Sequence, residues 1–203
     1  HGAAMWTALS GILGGMTIVL DPMKNGFNAN KTWDKVEHEG VNIMQIVGDA
    51  MAIPLLNSLK SKTKKWDLSN LVHLGSGGAV FSRHIKAEFK KILPKCTIAD
   101  GMGTSETGIS GMGSMSLQEG IMQLPLTENQ QVIIDDRIAG INEIGYLAKS
   151  GYTPIGYYGD ELKSKELFKY IDGKTWVLTG DSAKRNSKNT LVLYGRGSTC
   201  INT

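Results

Sequence analysis

The sequence of 203 residues predicts an α/β fold, in which a parallel-sheet α/β subdomain (residues 1–115) precedes a small antiparallel β-barrel-like subdomain (residues 116–203). Residues 71–108 read strand, glycine loop, helix, strand, glycine loop, an order typical of a right-handed crossover between parallel strands. After Ser116, short apolar segments alternate with Gly, Asp and Asn, as in antiparallel sheets. Hydrophobic residues make up 41% of the chain, which is enough material for a core.

The predicted elements follow in chain order. In the first subdomain we expect helices over 4–13, 30–39, 49–60 and 82–93, and strands over 16–20, 41–47, 71–74 and 96–99. Asp49 and Ser82 are interpreted as helix caps. In the second subdomain we expect strands over 132–134, 145–148, 175–178 and 191–194, with a helix over 161–170.

Two glycine-rich loops, Gly75–Ala79 and Gly101–Gly108, each follow a predicted strand. Parallel strands place their carboxyl ends on one edge of a sheet, and ligands of open α/β sheets bind at that edge. We therefore expect both loops to face a common crevice.

The run from Asp100 to Gly108 has the composition of a phosphate-binding loop. Its glycines let the backbone N–H groups approach a ligand, and its hydroxyls donate to phosphate oxygens. Glu106 is a candidate ligand for Mg²⁺. From composition alone, a solvated turn explains this run about as well.

Charge and cysteine content favour a cytoplasmic protein with no nucleic-acid partner. The net charge of +3 is small, and the lysine cluster at residues 60–65 is interpreted as a solvated connection. Cys96 and Cys200 lack metal-ligand spacing and fit a reducing compartment. The uncharged stretch from Gly2 to Leu20 is interrupted by glycines, so no membrane span is predicted.

Two polar segments end later strands, and a glycine- and aromatic-rich connection precedes both of them. Thr179–Asp181 ends in a carboxylate, which could accept both hydroxyls of a ribose, and Tyr194–Ser198 includes Arg196, which could pair with phosphate or ribose oxygens. The connection Gly151–Tyr158 is rich in glycine and aromatic residues.

Together and in this order, the segments resemble the adenylate-forming superfamily of AMP-dependent synthetases and ligases, over the whole chain. The family's Tyr-Gly-x-Thr-Glu pattern corresponds to residues 102–106, its Thr-Gly-Asp to 179–181, its Gly-Arg hinge element to 195–198, and its acyl-pocket His motif to 1–6. Details at 48–50, 76–79 and 195–203 are most similar to bacterial fatty-acyl and steroid-acyl CoA ligases.

The resemblance implies a two-step reaction with ATP, Mg²⁺ and coenzyme A. A carboxylate, expected to be fatty-acyl or sterol-type, attacks the α-phosphorus of ATP to give an acyl-adenylate and pyrophosphate. The coenzyme A thiol then displaces AMP. The apolar stretch Ala3–Leu13 agrees with an apolar acyl chain.

The resemblance also implies residue roles. Thr104 and Ser105 would contact phosphate, Glu106 would hold Mg²⁺, and Arg196 would act on ribose or phosphate. The implied nucleotide-binding residues are Gly77, Gly78, Ala79, Asp100, Gly101, Met102, Gly103 and Asp181. Gly77–Ala79 would also form a wall of the acyl pocket, and His1 and Trp6 would border the acyl channel.

The chain departs from the family pattern in several places. Met102 stands where an aromatic residue is usual, and Ser198 stands where the hinge usually has Asp or Lys. The family's Ser/Thr/Gly-rich phosphate loop and its small carboxyl-terminal domain with the catalytic lysine are not among these residues. We therefore expect the 203 residues alone to be inactive in ATP–pyrophosphate exchange.

Two other functional classes remain open, as does a homodimer. One is a non-catalytic nucleotide-binding module or truncated pseudoenzyme. The other is an aryl- or amino-acid-adenylating domain on the same fold. Three of the site residues also have a simpler structural interpretation. Asp181 could cap a turn, Glu106 could be an ordinary surface carboxylate, and His1 could be a cloning remnant.

Overall fold

The computed structural model describes residues 2–21, 26–61, 64–113, 122–187 and 190–196. The chain divides into two compact units, His1–Gly101 and Met102–Thr203, called here the first and second units. The predicted boundary at residues 115/116 lies outside the described residues, as do His1 and Ser198.

The first unit alternates helices with parallel strands, as predicted. Its elements are α1 (Gly2–Leu13), α2 (Ala29–His38), β1 (Ile43–Ile46), α3 (Gly48–Lys60), β2 (His73–Gly77), α4 (Arg83–Ile92) and the first part of β3 (Thr97–Thr104). Strand β2 lies between β1 and β3, and pairs parallel with both. The parallel pairing predicted from the strand–helix–strand order is therefore confirmed.

The strand predicted over 16–20 is wrong, since these residues have no regular secondary structure. Helix α1 ends in a Schellman motif, in which Gly15 has φ 69° and the Met16 N–H donates to the Gly11 carbonyl at 2.8 Å. The apolar side chains that follow are mostly exposed; Leu20, for example, is 73% exposed. An apolar run of this length becomes a strand only where a neighbouring strand takes its backbone hydrogen bonds.

The core of the first unit packs the helices against β1 and β2. Trp33, Leu55, Leu74 and Phe89 are fully buried. The Trp33 indole N–H donates to the Leu55 carbonyl at 3.0 Å, so the polar atom of this large side chain is satisfied inside the core.

The second unit is built on an antiparallel sheet. It contains the end of β3, β4 (Gly108–Gly113), β5 (Met122–Pro125), β6 (Gln130–Ile134), β7 (Arg137–Ile138), β8 (Ile144–Lys149), α5 (Glu161–Leu167), β9 (Phe168–Ile171), β10 (Lys174–Ser187) and β11 (Thr190–Arg196). The strand order is β5-β11-β10-β8-β6-β7, with β9 also paired to β10. Within the described residues this order does not close into a barrel, so the sheet is barrel-like only loosely.

The central strands of this sheet are covered on both faces. Val132 and Leu147 belong to one buried cluster, while their chain neighbours Ile133 and Ala148 belong to another. Successive side chains of a strand point to opposite faces, so β6 and β8 are buried on both sides. Among the described residues, no helix combines the length and apolar character needed to cross a membrane.

Candidate functional site

The glycine-rich end of β2 lies beside β3, as predicted. Ser76 is the register partner of Asp100, and Gly77 is the partner of Gly101. A Cβ atom on Gly77 would lie 3.1 Å from the Gly101 carbonyl oxygen, so the close approach of the two backbones favours glycine here. Both predicted loops therefore start from the same edge of the parallel sheet.

The loop after β2 is tied to the start of α3. The Gly48 N–H donates to Ser76 Oγ at 2.9 Å, and the Asp49 N–H donates to the Val80 carbonyl at 2.8 Å. Asp49 in turn accepts from the backbone N–H and from the hydroxyl of Ser82. Hydrogen bonds therefore hold the chain on either side of Gly78 and Ala79, whereas these two residues themselves are exposed.

These contacts correct the two predicted caps. Val47 occupies the N-cap position of α3, and the Asp49 carboxylate serves Ser82 rather than its own helix. Ser82 does occupy the N-cap position of α4, but its side chain makes no capping bond, and its hydroxyl donates to Asp49 instead. At the sequence level both residues look like ordinary caps.

Asp100 forms an ion pair with Lys86 of α4. Their side chains are 9% and 13% exposed, respectively. Burial raises the pKa of the Asp100 carboxyl, and the Lys86 ammonium opposes that shift. A nucleotide contact at this position would therefore use backbone groups more readily than the carboxylate. Nothing in the sequence identified Lys86 as this partner.

The predicted phosphate loop is a β-hairpin whose turn is Ser105–Thr107. Thr104 and Thr107 are buried beneath the turn: the Thr107 N–H donates to Thr104 Oγ1 at 3.1 Å, and the two hydroxyls lie 3.0 Å apart. Ser105 is exposed and Glu106 is half-buried. The buried hydroxyls therefore shape the turn that carries the serine and the carboxylate.

Two side chains from later in the chain reach this turn. Lys149 Nζ, on β8, donates to the Thr107 carbonyl at 2.8 Å. The Tyr157 hydroxyl donates to Glu106 Oε1 at 2.6 Å. Desolvation lowers the pKa of Lys149. Sequence reasoning missed both residues as parts of the site, although Tyr157 lies in the aromatic-rich connection that it singled out.

Asp181 lies at an irregular point of the antiparallel sheet, directly across from Arg196. The two are register partners on β10 and β11. The pairing of β10 with β8 shifts between Leu178 and Ser182, and Gly180 between them has φ 79°. The Asp181 N–H donates to Thr179 Oγ1 at 3.2 Å. Such bulges re-aim side chains and are common beside functional sites.

For the remaining predicted site residues, the structure gives burial and packing but, within the part of the chain it describes, no contact that bears on ligand binding. Trp6 is half-buried on α1, and its indole N–H has no hydrogen-bond partner among the described residues. Met102 packs against the core cluster around Leu124 in the second unit, and Gly103 is exposed. Their ligand-binding roles stay predictions.

The residues present are compatible with Mg²⁺ bound together with a nucleotide. Within the part of the chain that the structure describes, no three His, Cys, Asp or Glu side chains cluster as metal ligands. Mg²⁺ at nucleotide sites usually takes one or two carboxylates and completes its shell with phosphates and water. The half-buried Glu106 carboxylate on a hydroxyl-bearing turn meets that smaller requirement.

Comparison with known proteins finds fatty-acyl and steroid-acyl CoA ligases among the similar sequences. The chain is 36% identical over 216 residues to a medium/long-chain-fatty-acid–CoA and 3-oxocholest-4-en-26-oate–CoA ligase of Mycolicibacterium smegmatis. It is 34% identical over 213 residues to 3-oxocholest-4-en-26-oate–CoA ligase of Rhodococcus rhodochrous. Both matches cover 100% of this chain but only 38% of the relative's length.

Solved structures show the same fold. O-succinylbenzoate coenzyme A synthetase of Bacillus subtilis, solved with ATP and a magnesium ion, matches with a TM-score of 0.76 at 18% identity, over 100% of this chain and 41% of that one. A long-chain-fatty-acid–CoA ligase of Archaeoglobus fulgidus matches with a TM-score of 0.69 at 19% identity, over 84% and 37%. Because residues 1–158 also match the family described as AMP-binding enzyme, this chain belongs to that family of adenylate-forming enzymes.

Proposed function

We propose that the protein carrying this chain is an ATP-dependent CoA ligase. It would activate a fatty-acid-like or steroid-type carboxylate as an acyl-adenylate and transfer the acyl group to coenzyme A. The observation that carries the proposal is the Ser105–Thr107 turn, where a half-buried carboxylate and an exposed hydroxyl are held by buried threonines. The names of the Mycolicibacterium and Rhodococcus relatives support the substrate class.

Each unit contributes separate binding groups in this proposal. In the second unit, the exposed Ser105 would donate to phosphate oxygens, and the backbone of Thr104 and its buried hydroxyl would hold the turn that faces them. Asp181 would accept the ribose hydroxyls, and Arg196 would pair with ribose or phosphate. Bound Mg²⁺ would neutralise phosphate charge, and Glu106 is the residue that would hold it. In the first unit, Gly77–Ala79 form a wall of the nucleotide and acyl site, and Trp6 borders the acyl channel.

The proposal is tested by ATP–pyrophosphate exchange in the complete protein that contains these residues. The acids to be compared are medium- and long-chain fatty acids, a steroid side-chain acid, aryl acids and amino acids. We expect exchange that depends on a fatty or steroid acid. Exchange with only aryl or amino acids would change the substrate class, and no exchange with any acid would refute the ligase assignment.

Glu106→Gln tests the central residue. Loss of one preorganised electrostatic group in an active site commonly lowers the rate about 100-fold or more, and we expect a loss of that order. The matched control is Glu161→Gln, because the side chain of Glu161 is 91% exposed and lies on α5. Equal exchange rates for both variants would show that Glu106 is not part of the active site.

A further inference from the structure

We propose that Tyr157 is a positioning residue for Glu106, and that its phenol holds the carboxylate in the orientation that receives a divalent cation. The inference rests on the proposed function, because that function assigns the cation to Glu106. The Tyr157 hydroxyl donates to Glu106 Oε1 at 2.6 Å, although the two residues are 51 positions apart. This is a charge-assisted hydrogen bond of short length.

Tyr157 is fixed by contacts within its own segment. Its backbone N–H donates to Ser164 Oγ at 2.8 Å, and its ring packs edge-on against Phe168 with centroids 6.1 Å apart and planes at 89°. Lys163 Nζ lies 4.1 Å from the ring centroid, within cation–π range. These contacts set the place of the phenol without any contribution from Glu106, so the tyrosine orients the glutamate.

The backbone beneath Glu106 is also fixed, so loss of the Tyr157 hydroxyl should act on the Glu106 side chain and not on the turn. The buried Thr104 and Thr107 hydroxyls close the turn, and Lys149 Nζ binds the Thr107 carbonyl at 2.8 Å. An unrestrained glutamate loses rotamer freedom when it binds a cation. The bond from Tyr157 removes part of that freedom in advance, as outer-shell hydrogen bonds do at metal sites.

The neighbouring tyrosine gives a matched control. Tyr158 is 107% exposed, whereas Tyr157 is half-buried against Phe168. Tyr157→Phe removes only the hydroxyl and retains the ring contacts with Phe168 and Lys163, so the variant should fold. Tyr158→Phe makes the same chemical change where no role at Glu106 is proposed.

The experiment measures Mn²⁺ binding to the complete protein by electron paramagnetic resonance, with ATP present and the carboxylic acid omitted. We expect Tyr157→Phe to weaken Mn²⁺ binding about tenfold, the lower end for outer-shell partners of a metal ligand. Tyr158→Phe should bind like the wild type. In ATP–pyrophosphate exchange, Tyr157→Phe should need more Mg²⁺ for half-maximal rate and recover most of its maximal rate at saturating Mg²⁺.

The outcomes separate this inference from the proposed function. If wild-type protein binds neither Mn²⁺ nor ATP, the proposed function fails. If the wild type binds both and Tyr157→Phe retains full Mn²⁺ affinity, the positioning role is overturned while the ligase assignment stands. Ser164→Ala, which frees the Tyr157 backbone N–H but keeps the phenol, should give a smaller loss of affinity; should Tyr157→Phe not fold, an unchanged affinity in Ser164→Ala overturns the inference.

Discussion

Gly48 and Ser76 are joined by a buried hydrogen bond, from the Gly48 N–H to Ser76 Oγ at 2.9 Å. Gly48 opens α3 and Ser76 lies near the end of β2, so the bond ties a helix start to the glycine-rich edge of the parallel sheet. Gly48 has φ 57°, and a Cβ atom there would lie 2.6 Å from the Val80 carbonyl oxygen. Backbone conformation and space therefore both require glycine at this position.

Gly48→Ala should lower the free energy of unfolding by about 3 kcal/mol or more, because left-handed strain and backbone overlap add together. Gly40→Ala is the control: Gly40 has φ 60°, but its Cβ would meet only Asn70 Nδ2 at 3.5 Å. That variant should lose only the strain, about 1–2 kcal/mol. Urea unfolding of the two variants measures the difference, and equal losses would contradict the overlap at Val80.

Lys86→Met should be strongly destabilising, because it leaves the Asp100 carboxylate buried without its partner. Losing one member of a buried ion pair costs about 3–5 kcal/mol, and we expect the lower end. The pKa of Asp100 is already raised by burial, and removing the ammonium raises it further. Because the pKa of Asp100 is higher in the folded protein than in the unfolded chain, the stability that its protonated carboxyl contributes is fully present below the unfolded-state pKa. That contribution is lost as the pH rises through the folded-state pKa. The free energy of unfolding of Lys86→Met should therefore fall furthest below that of the wild type at neutral pH.

Two comparisons test that prediction through urea unfolding at acid and neutral pH. Lys91→Met removes an ammonium that is 73% exposed and pairs with Glu88, and should change stability by less than about 1 kcal/mol. Lys86→Met combined with Asp100→Leu removes both buried charges and should recover most of the loss. A deficit in Lys86→Met that does not depend on pH would rule out the uncompensated carboxylate as its cause.

The sequence predicted the parallel part of the fold because local and global signals agree there. The predicted strands over 41–47, 71–74 and 96–99 are mostly apolar, and glycine loops and helices separate them. A strand–helix–strand connection of this length is typical of parallel pairing. The same reasoning brought Gly77 and Gly101 to one sheet edge, where they are register partners.

Prediction failed where a partner distant in sequence decides the outcome. Gly101–Thr104 is the end of β3 and not part of the predicted loop. Strand β2 pairs with β3 as far as Gly101, and β4 is the next neighbour of β3 in the sheet. The contact of Tyr157 with Glu106 likewise depends on tertiary structure that periodicity does not encode. The helix predicted over 161–170 is too long, and a local signal for its end was present. Asp172 and Gly173 both have positive φ and join β9 to β10 as a tight hairpin.

Glu143→Gln should reduce the loss of stability in acid. Arg137 binds both oxygens of the Glu143 carboxylate, at 2.7 and 3.0 Å, and the Gly140 N–H donates to it at 2.6 Å. Together they lower the pKa of Glu143 to about 2 from 4.5. A lowered carboxyl pKa gives stability that is present above the unfolded pKa and is lost as pH falls through the folded pKa, so the window runs from about pH 4.5 down to about 2.

Urea midpoints measured across that window check this prediction, with Glu161→Gln as the control of equal charge change. The Glu161 side chain is 91% exposed and its pair with Lys165 is 4.0 Å long. Wild type and the control should lose stability in parallel as the pH falls, whereas Glu143→Gln should show a flatter profile. Parallel profiles for all three proteins would mean that the Arg137 pair does not persist in solution.

Asp181→Ala should weaken ATP binding about 10- to 100-fold, since a carboxylate that accepts ribose hydroxyls makes charge-assisted bonds of about 1.5–3 kcal/mol each. The position of Asp181 at a bulge of β10, with Arg196 as its register partner on β11, supports this assignment. The measurement is the rise in melting temperature of the complete protein with ATP and Mg²⁺, which falls as affinity falls. Asp136→Ala is the control, because the Asp136 side chain is 82% exposed and pairs only at the surface with Lys169. Equal ATP stabilisation in Asp181→Ala and wild type would restrict Asp181 to shaping the bulge.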